Sequence, residues 1–140
     1  MHDASKVLMG QVGSNIKEVD NRAGAAATFL AGLVVHLKSD DTLSLTASDG
    51  AKLGVSLGRS LSDTDRVAIC RKGLRVPIRV ANGQTPVIGA QVQIHATSGM
   101  AVDSGTAVNA VYVAIGLTGI DEDGAAIADD VALIDFPGGL

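Results

Sequence analysis

The stretch Leu30-Ala31-Gly32-Leu33-Val34-Val35-His36-Leu37 is written a second time as Val87-Ile88-Gly89-Ala90-Gln91-Val92-Gln93-Ile94. Each copy leads to a second apolar run, Leu53-Gly54-Val55-Ser56-Leu57 and Val113-Ala114-Ile115-Gly116-Leu117. Each then closes on an acidic residue and a short β-prone run, Asp65-Arg66-Val67-Ala68-Ile69 and Asp129-Asp130-Val131-Ala132-Leu133. Short runs rich in Val, Ile and Leu, separated by turn residues, are the signature of short strands. The doubling therefore predicts an all-β domain. It is a small β-barrel or β-sandwich of short strands, built from two related units joined by a basic strand.

Between the quoted stretches the same pattern continues. Leu43-Ser44-Leu45-Thr46-Ala47 alternates with period two and predicts a half-buried strand between the turns Ser39–Thr42 and Ser48–Gly50. A strand over 66–71 is expected to end at Lys72-Gly73. A separate strand, Leu74-Arg75-Val76-Pro77-Ile78-Arg79-Val80, then carries Arg75 and Arg79 on one face. Pro77 lacks the N–H that a ladder needs, which places that strand at an edge or a bulge. Further strands are expected at Gln91–Ala96, Ala110–Leu117 and Val131–Phe136, with an acidic connection over 119–124.

Residues 1–28 differ from the β domain at 29–140. Gly10, Gly13, Asn15, Asp20, Asn21 and Gly24 interrupt every candidate helix. The apolar residues Val7, Leu8, Met9, Val12, Ile16 and Val19 follow no sustained period. Two readings stand side by side: a frayed terminus, or an extended arm that orders on a partner. The only helical expectation falls on Asp20–Leu30, where alanines cluster, and Gly24 opposes it.

Composition narrows the function. The chain has 140 residues, 46% hydrophobic but only 2% aromatic, so Val, Ile, Leu and Ala must fill the core. Aromatic anchors for protein hot spots and stacking platforms for single-stranded nucleic acid are nearly absent. A net charge of −4 argues against a nucleic-acid partner. The lone cysteine, Cys70, excludes an internal disulfide and reads as a small buried hydrophobe. No apolar run is long enough for a membrane span, and the start resembles no signal peptide. The expected setting is the cytosol, or particles assembled there.

Candidate chemical sites mostly fail on context. His2, His36 and His95 show no metal-ligand spacing, and His36 and His95 read as solvent-facing strand residues. Asp121-Glu122-Asp123-Gly124 opens like a calcium loop, but the twelfth position is Ala132 and the flanks are β, so a solvated turn is expected. Gly54-Val55-Ser56-Leu57-Gly58 matches G-x-S-x-G literally. That motif needs a strand–turn–helix context, and Ser56 sits in an alternating strand. No cofactor or metal is implied and no catalysis is expected. The basic residues Arg66, Arg71, Lys72, Arg75 and Arg79 hold five of the 11 Lys and Arg. They read either as a solvated face or as half of a subunit interface. Asp121, Asp123, Asp129 and Asp130 would then supply the other half, as in a head-to-tail ring.

Taken together, these strands resemble the capsid decoration, or cement, proteins of tailed bacteriophages. The resemblance rests on Gly32–Leu37, Gly54-Val55, Val67–Gly73, Ile88-Gly89-Ala90-Gln91-Val92 and Val131–Ile134 before Phe136-Pro137, behind an arm. It implies a structural virion protein on the outer capsid surface, made in the bacterial host cytoplasm. The implied partners are the major capsid protein and the chain itself, as a homotrimer. The arm residues Val7, Leu8, Met9, Val12, Ile16 and Val19 would contact the shell by adding to a capsid strand. The competing expectation is a β-sandwich module that binds carbohydrate or a receptor, which the missing aromatics weaken.

Overall fold

The computed structural model describes residues 6–8, 15–23, 30–58, 66–121 and 124–140. Among the described residues ten strands make up nearly all of the regular structure: β1 (Lys6–Leu8), β2 (Asn15–Ala23), β3 (Val34–Leu37), β4 (Leu43–Ser44), β5 (Ala51–Ser56), β6 (Arg66–Val80), β7 (Gln91–Ile94), β8 (Ala101–Val102), β9 (Thr106–Ile120) and β10 (Ala126–Phe136). A three-residue 3₁₀ turn, Ala47–Asp49, lies between β4 and β5. No α-helix occurs among the described residues.

The doubling seen in the sequence is a doubling of topology. In the first unit β3 pairs antiparallel with β4 and β5, and β5 pairs with β6. In the second unit β7 pairs antiparallel with β8 and β9, and β9 pairs with β10. The short strands dock at matching places: His36 faces Ser44 and Leu37 faces Leu43, as Gln93 faces Val102 and Ile94 faces Ala101.

Strand β6 belongs to both units. Its first half closes unit one on β5 and its second half opens unit two on β10. Unit one has a lead strand of its own, β2. Its register on β6 runs from Val19↔Cys70 to Ala23↔Arg66. The register of β6 on β10 runs in step, from Val76↔Ile134 to Val80↔Asp130. Both ladders slip at the same end, between Glu18 and Val19 in one and between Ile134 and Phe136 in the other. Unit two closes into a five-stranded barrel, β6-β10-β9-β7-β8, completed by the parallel pair Val80↔Ala101. β1 adds parallel to the far end of β9 through Lys6↔Thr118 to Leu8↔Ile120.

Alternation builds the cores, as the period of a strand requires. On β10, Ala132, Ile134 and Phe136 face the barrel interior with Val76, Ile78, Val80, Val92, Val108 and Tyr112. The intervening Ile127, Val131 and Leu133 pack on Ala31 outside the barrel. Leu33, Val35, Leu43, Leu53, Val67 and Ile69 form the smaller core of unit one. Each fully buried aliphatic side chain contributes about 1.5–3 kcal/mol.

Several expectations are corrected. The alternating run 43–47 forms strand only over Leu43–Ser44, because Ala47–Asp49 turns to let Ala47 N–H reach the Ala96 carbonyl (2.8 Å). Strand does not end at Lys72-Gly73: β6 runs through it and absorbs one extra residue as a bulge, with Arg75 at φ 53°. Asp135 fixes that bulge by accepting the Arg75 N–H (2.7 Å). Residues 20–23 of the helical expectation lie in β2, where ladder bonds to β6 outweigh alanine propensity. Val55 of β5 faces Val34 of β3 where Val111 of β9 faces Gln91 of β7, so Leu53–Leu57 does not correspond to Val113–Leu117. β9 is much longer than β5, and this shifts the match.

Candidate interaction surfaces

The charged residues picked out by the sequence are spread along β6 and the segment 121–130, and two of them, Arg79 and Asp129, meet beside the β6–β10 ladder. Arg79 is buried with its side chain 6% exposed; its Nε donates to the Ala31 carbonyl at 2.7 Å and its Nη1 reaches Asp129 Oδ2 at 3.4 Å. That pair forms within one chain. Asp130 is exposed and sits opposite Val80. Arg71, Lys72 and Arg75 lie on the exposed surface of β6. Arg66 begins β6 opposite Ala23. Asp121 shapes its own turn: its carboxylate accepts the Ala125 N–H (2.9 Å) and its carbonyl the Gly124 N–H (3.1 Å). Asp123 lies outside the described residues. Of these charged residues, Arg79 and Asp129 are brought together, within one chain.

Of the arm residues, Val7 and Leu8 fall in β1 and Ile16 and Val19 in β2, while Met9 and Val12 lie outside the described residues. Both strands are sheet margins. β1 ends the strand order, and β2 pairs with β6 alone among the described residues.

A cleft of about 280 Å³ separates the paired strand ends of the two units. His36, Lys52, Ile94, His95 and Val108 line it. His36 is not solvent-facing as expected but 3% exposed, because the β3–β5 register slips between Val35 and His36. Burial lowers its pKa, with nearby Lys52 acting in the same direction and the Ser44 backbone and Asp49 opposing. The neutral imidazole is therefore favoured, and its Nδ1 is buried without a hydrogen-bond partner among the described residues. His95 is exposed at the rim, its Nδ1 facing the Thr97 N–H at 3.4 Å. His2 lies outside the described residues, and no group of three metal-ligating side chains occurs among those described.

Ser56 has a scaffolding arrangement. It is buried, its hydroxyl donates to the Leu30 carbonyl (2.9 Å) beside the Leu33 carbonyl (3.2 Å), and its Oγ accepts the Leu33 N–H (3.1 Å). The hydroxyl thereby pins the turn that opens unit one. Cys70 is buried as expected. Desolvation pushes its thiol up to about 11, and the S–H points at the Lys72 carbonyl (3.2 Å).

Large apolar side chains left exposed are few among the described residues. Val87, Ile88 and Val111 cluster on the turn before β7 and the adjoining stretch of β9, and Leu30 lies on the matching turn of unit one. The sequence singled out Val87 and Ile88 as strand-pattern positions and not as a surface, since exposure is not a property of a local run. In comparison with known proteins, the chain matches no family model and no curated relative. No helix among the described residues is long and apolar enough to cross a membrane.

Proposed function

We propose that this chain is a structural virion protein, without cofactor or catalysis, that binds the outside of an expanded bacteriophage capsid. It stabilises the shell by bridging neighbouring major capsid proteins, and it does so as a homotrimer. The observation that carries this reading is the marginal position of the N-terminal strands. β1 and β2 hold the apolar residues Val7, Leu8, Ile16 and Val19, and each leaves one backbone edge without a strand among the described residues. An open edge is a template for a strand of another protein. The closed barrel of unit two supplies a body that has no such edge of its own. Many copies bound to the assembled shell and not to loose subunits stabilise it by mass action.

The test is co-sedimentation with purified expanded shells of the phage that carries the gene. The wild-type chain is expected to pellet with shells and to raise the temperature at which they disrupt. Val7→Asp/Leu8→Asp, in the marginal strand β1, is expected to stay folded and remain in the supernatant. A wild-type chain that never pellets with shells refutes the proposal. A carbohydrate- or receptor-binding module is the second reading, and the cleft between His36 and His95 favours it. Tyr112 and Phe136 are both buried, so neither offers a sugar-stacking face.

A further inference from the structure

The two units open on the same turn. In unit one the Gly32 N–H donates to the Ser56 carbonyl (2.8 Å) and the Ser56 N–H to the Leu33 carbonyl (2.9 Å). In unit two the Gly89 N–H donates to the Tyr112 carbonyl (2.8 Å) and the Tyr112 N–H to the Ala90 carbonyl (3.1 Å). Both glycines take the left-handed conformation, φ 82° and 87°, which other residues adopt at a cost. What lies over the two turns differs. The lead strand of unit two covers the first: the Arg79 N–H donates to the Gly32 carbonyl (2.8 Å) and Nε to the Ala31 carbonyl (2.7 Å). Ala31 is 5% exposed there. No described residue covers the second turn. Val87 is 62% exposed and Ile88, the counterpart of Ala31, 60%.

The chain carries a second lead strand. The correspondence that puts Leu30 on Val87 and Leu37 on Ile94, continued backwards, puts Arg22 on Arg79. The ladders agree independently: Arg22 faces Val67 where Arg79 faces Val131. β6 spends its outer edge on Gly32 and Ala101, whereas the equivalent edge of β2 meets no strand among the described residues. We propose that the Val87–Ala90 turn of one copy receives the β2 edge of a second copy. The Arg22 N–H would meet the Gly89 carbonyl, repeating between chains the main-chain junction that Arg79 and Gly32 already make within one. The contact is head-to-tail, so its rotation decides whether it closes into a ring. The inference rests on the self-association in the proposed function and names its two faces.

Disulfide trapping between two variants tests it. Arg22→Cys and Ile88→Cys chains are purified separately, checked for fold by circular dichroism, mixed and mildly oxidised. Cys70 is buried with a thiol near 11, so it stays out of the reaction. The expected product is a mixed dimer, formed about tenfold or more faster than either variant pairs with itself and faster than Arg22→Cys with the exposed control Ser104→Cys. Equal rates in all pairings overturn the junction. In sedimentation of the otherwise native chain, Ile88→Asp is expected to weaken association about tenfold or more, and unchanged association overturns the proposal. The failures separate cleanly. Chains that pellet with shells but do not trap refute the junction alone, and chains that trap but never pellet refute the decoration role alone.

Discussion

Replacing Arg79 with Met separates two roles that one side chain performs. Met keeps most of the apolar stem, so packing is largely retained. Two polar contacts are lost: the 2.7 Å bond from Nε to the Ala31 carbonyl and the 3.4 Å approach of Nη1 to Asp129. The first is short, charge-assisted and buried, and it leaves a carbonyl without a donor. Such a loss costs about 1.5–3 kcal/mol. The second is long and single-pronged, and the Asp129 side chain is 26% exposed, so water can replace the partner. Pairs of that kind contribute about 0–1 kcal/mol. The carbonyl bond should therefore dominate. Arg79→Met is expected to cost about 2–3 kcal/mol in urea unfolding, or roughly 6–10 °C in Tm for a chain of this size. Asp129→Asn should cost about 0.5 kcal/mol. A double-mutant cycle should give a coupling below about 1 kcal/mol. If Asp129→Asn costs as much as Arg79→Met, the ion pair and not the clamp on the turn is the source of stability, and the reasoning fails.

Two further outcomes follow from packing and burial. Gly54→Ala should destabilise by about 3 kcal/mol or more in denaturant titration, because a Cβ there would collide with the Cys70 carbonyl of the neighbouring strand; a loss below about 1 kcal/mol would show that β5 can move away from β6. Burial holds the His36 pKa in the folded chain below its ordinary 6.5, so the unfolded chain binds more protons in mild acid. Stability should be full above about pH 6.5 and decline as pH falls towards the folded value, and His36→Leu should flatten that part of the profile. An unchanged slope in the variant would assign the acid sensitivity to other groups.

The repeat was legible because each unit opens on a left-handed glycine, Gly32 and Gly89, which other residues replace only at a cost. Its middle was not legible. β9 is long enough to serve β7, β10 and β1, and the slips between Val131 and Leu133 and between Leu133 and Ile134 leave no trace in composition. Lys72-Gly73 looked like a strand end because glycine weakens strands. Whether a strand survives its glycine depends on the neighbours that flank it, here β2 and β10, and these are distant in sequence. His36 was misjudged for a related reason: one slipped position beside Val35 exchanges the inward and outward faces. The role of Arg79 was not legible from charge, because its buried bond to Ala31 is made to a main-chain carbonyl, which every residue type carries.

β6 has a consequence for how the molecule comes apart. At about 3.3 Å per residue it is a rod roughly 50 Å long, and each half is an indispensable stave of a different unit. Neither unit can be lost while the other keeps all its hydrogen bonds. Melting should therefore be a single cooperative event, with calorimetric and van't Hoff enthalpies in agreement. The amides of Val76, Ile78 and Val80 should exchange with solvent deuterium only when the whole chain opens. A load applied at either end of β6 reaches both bodies at once.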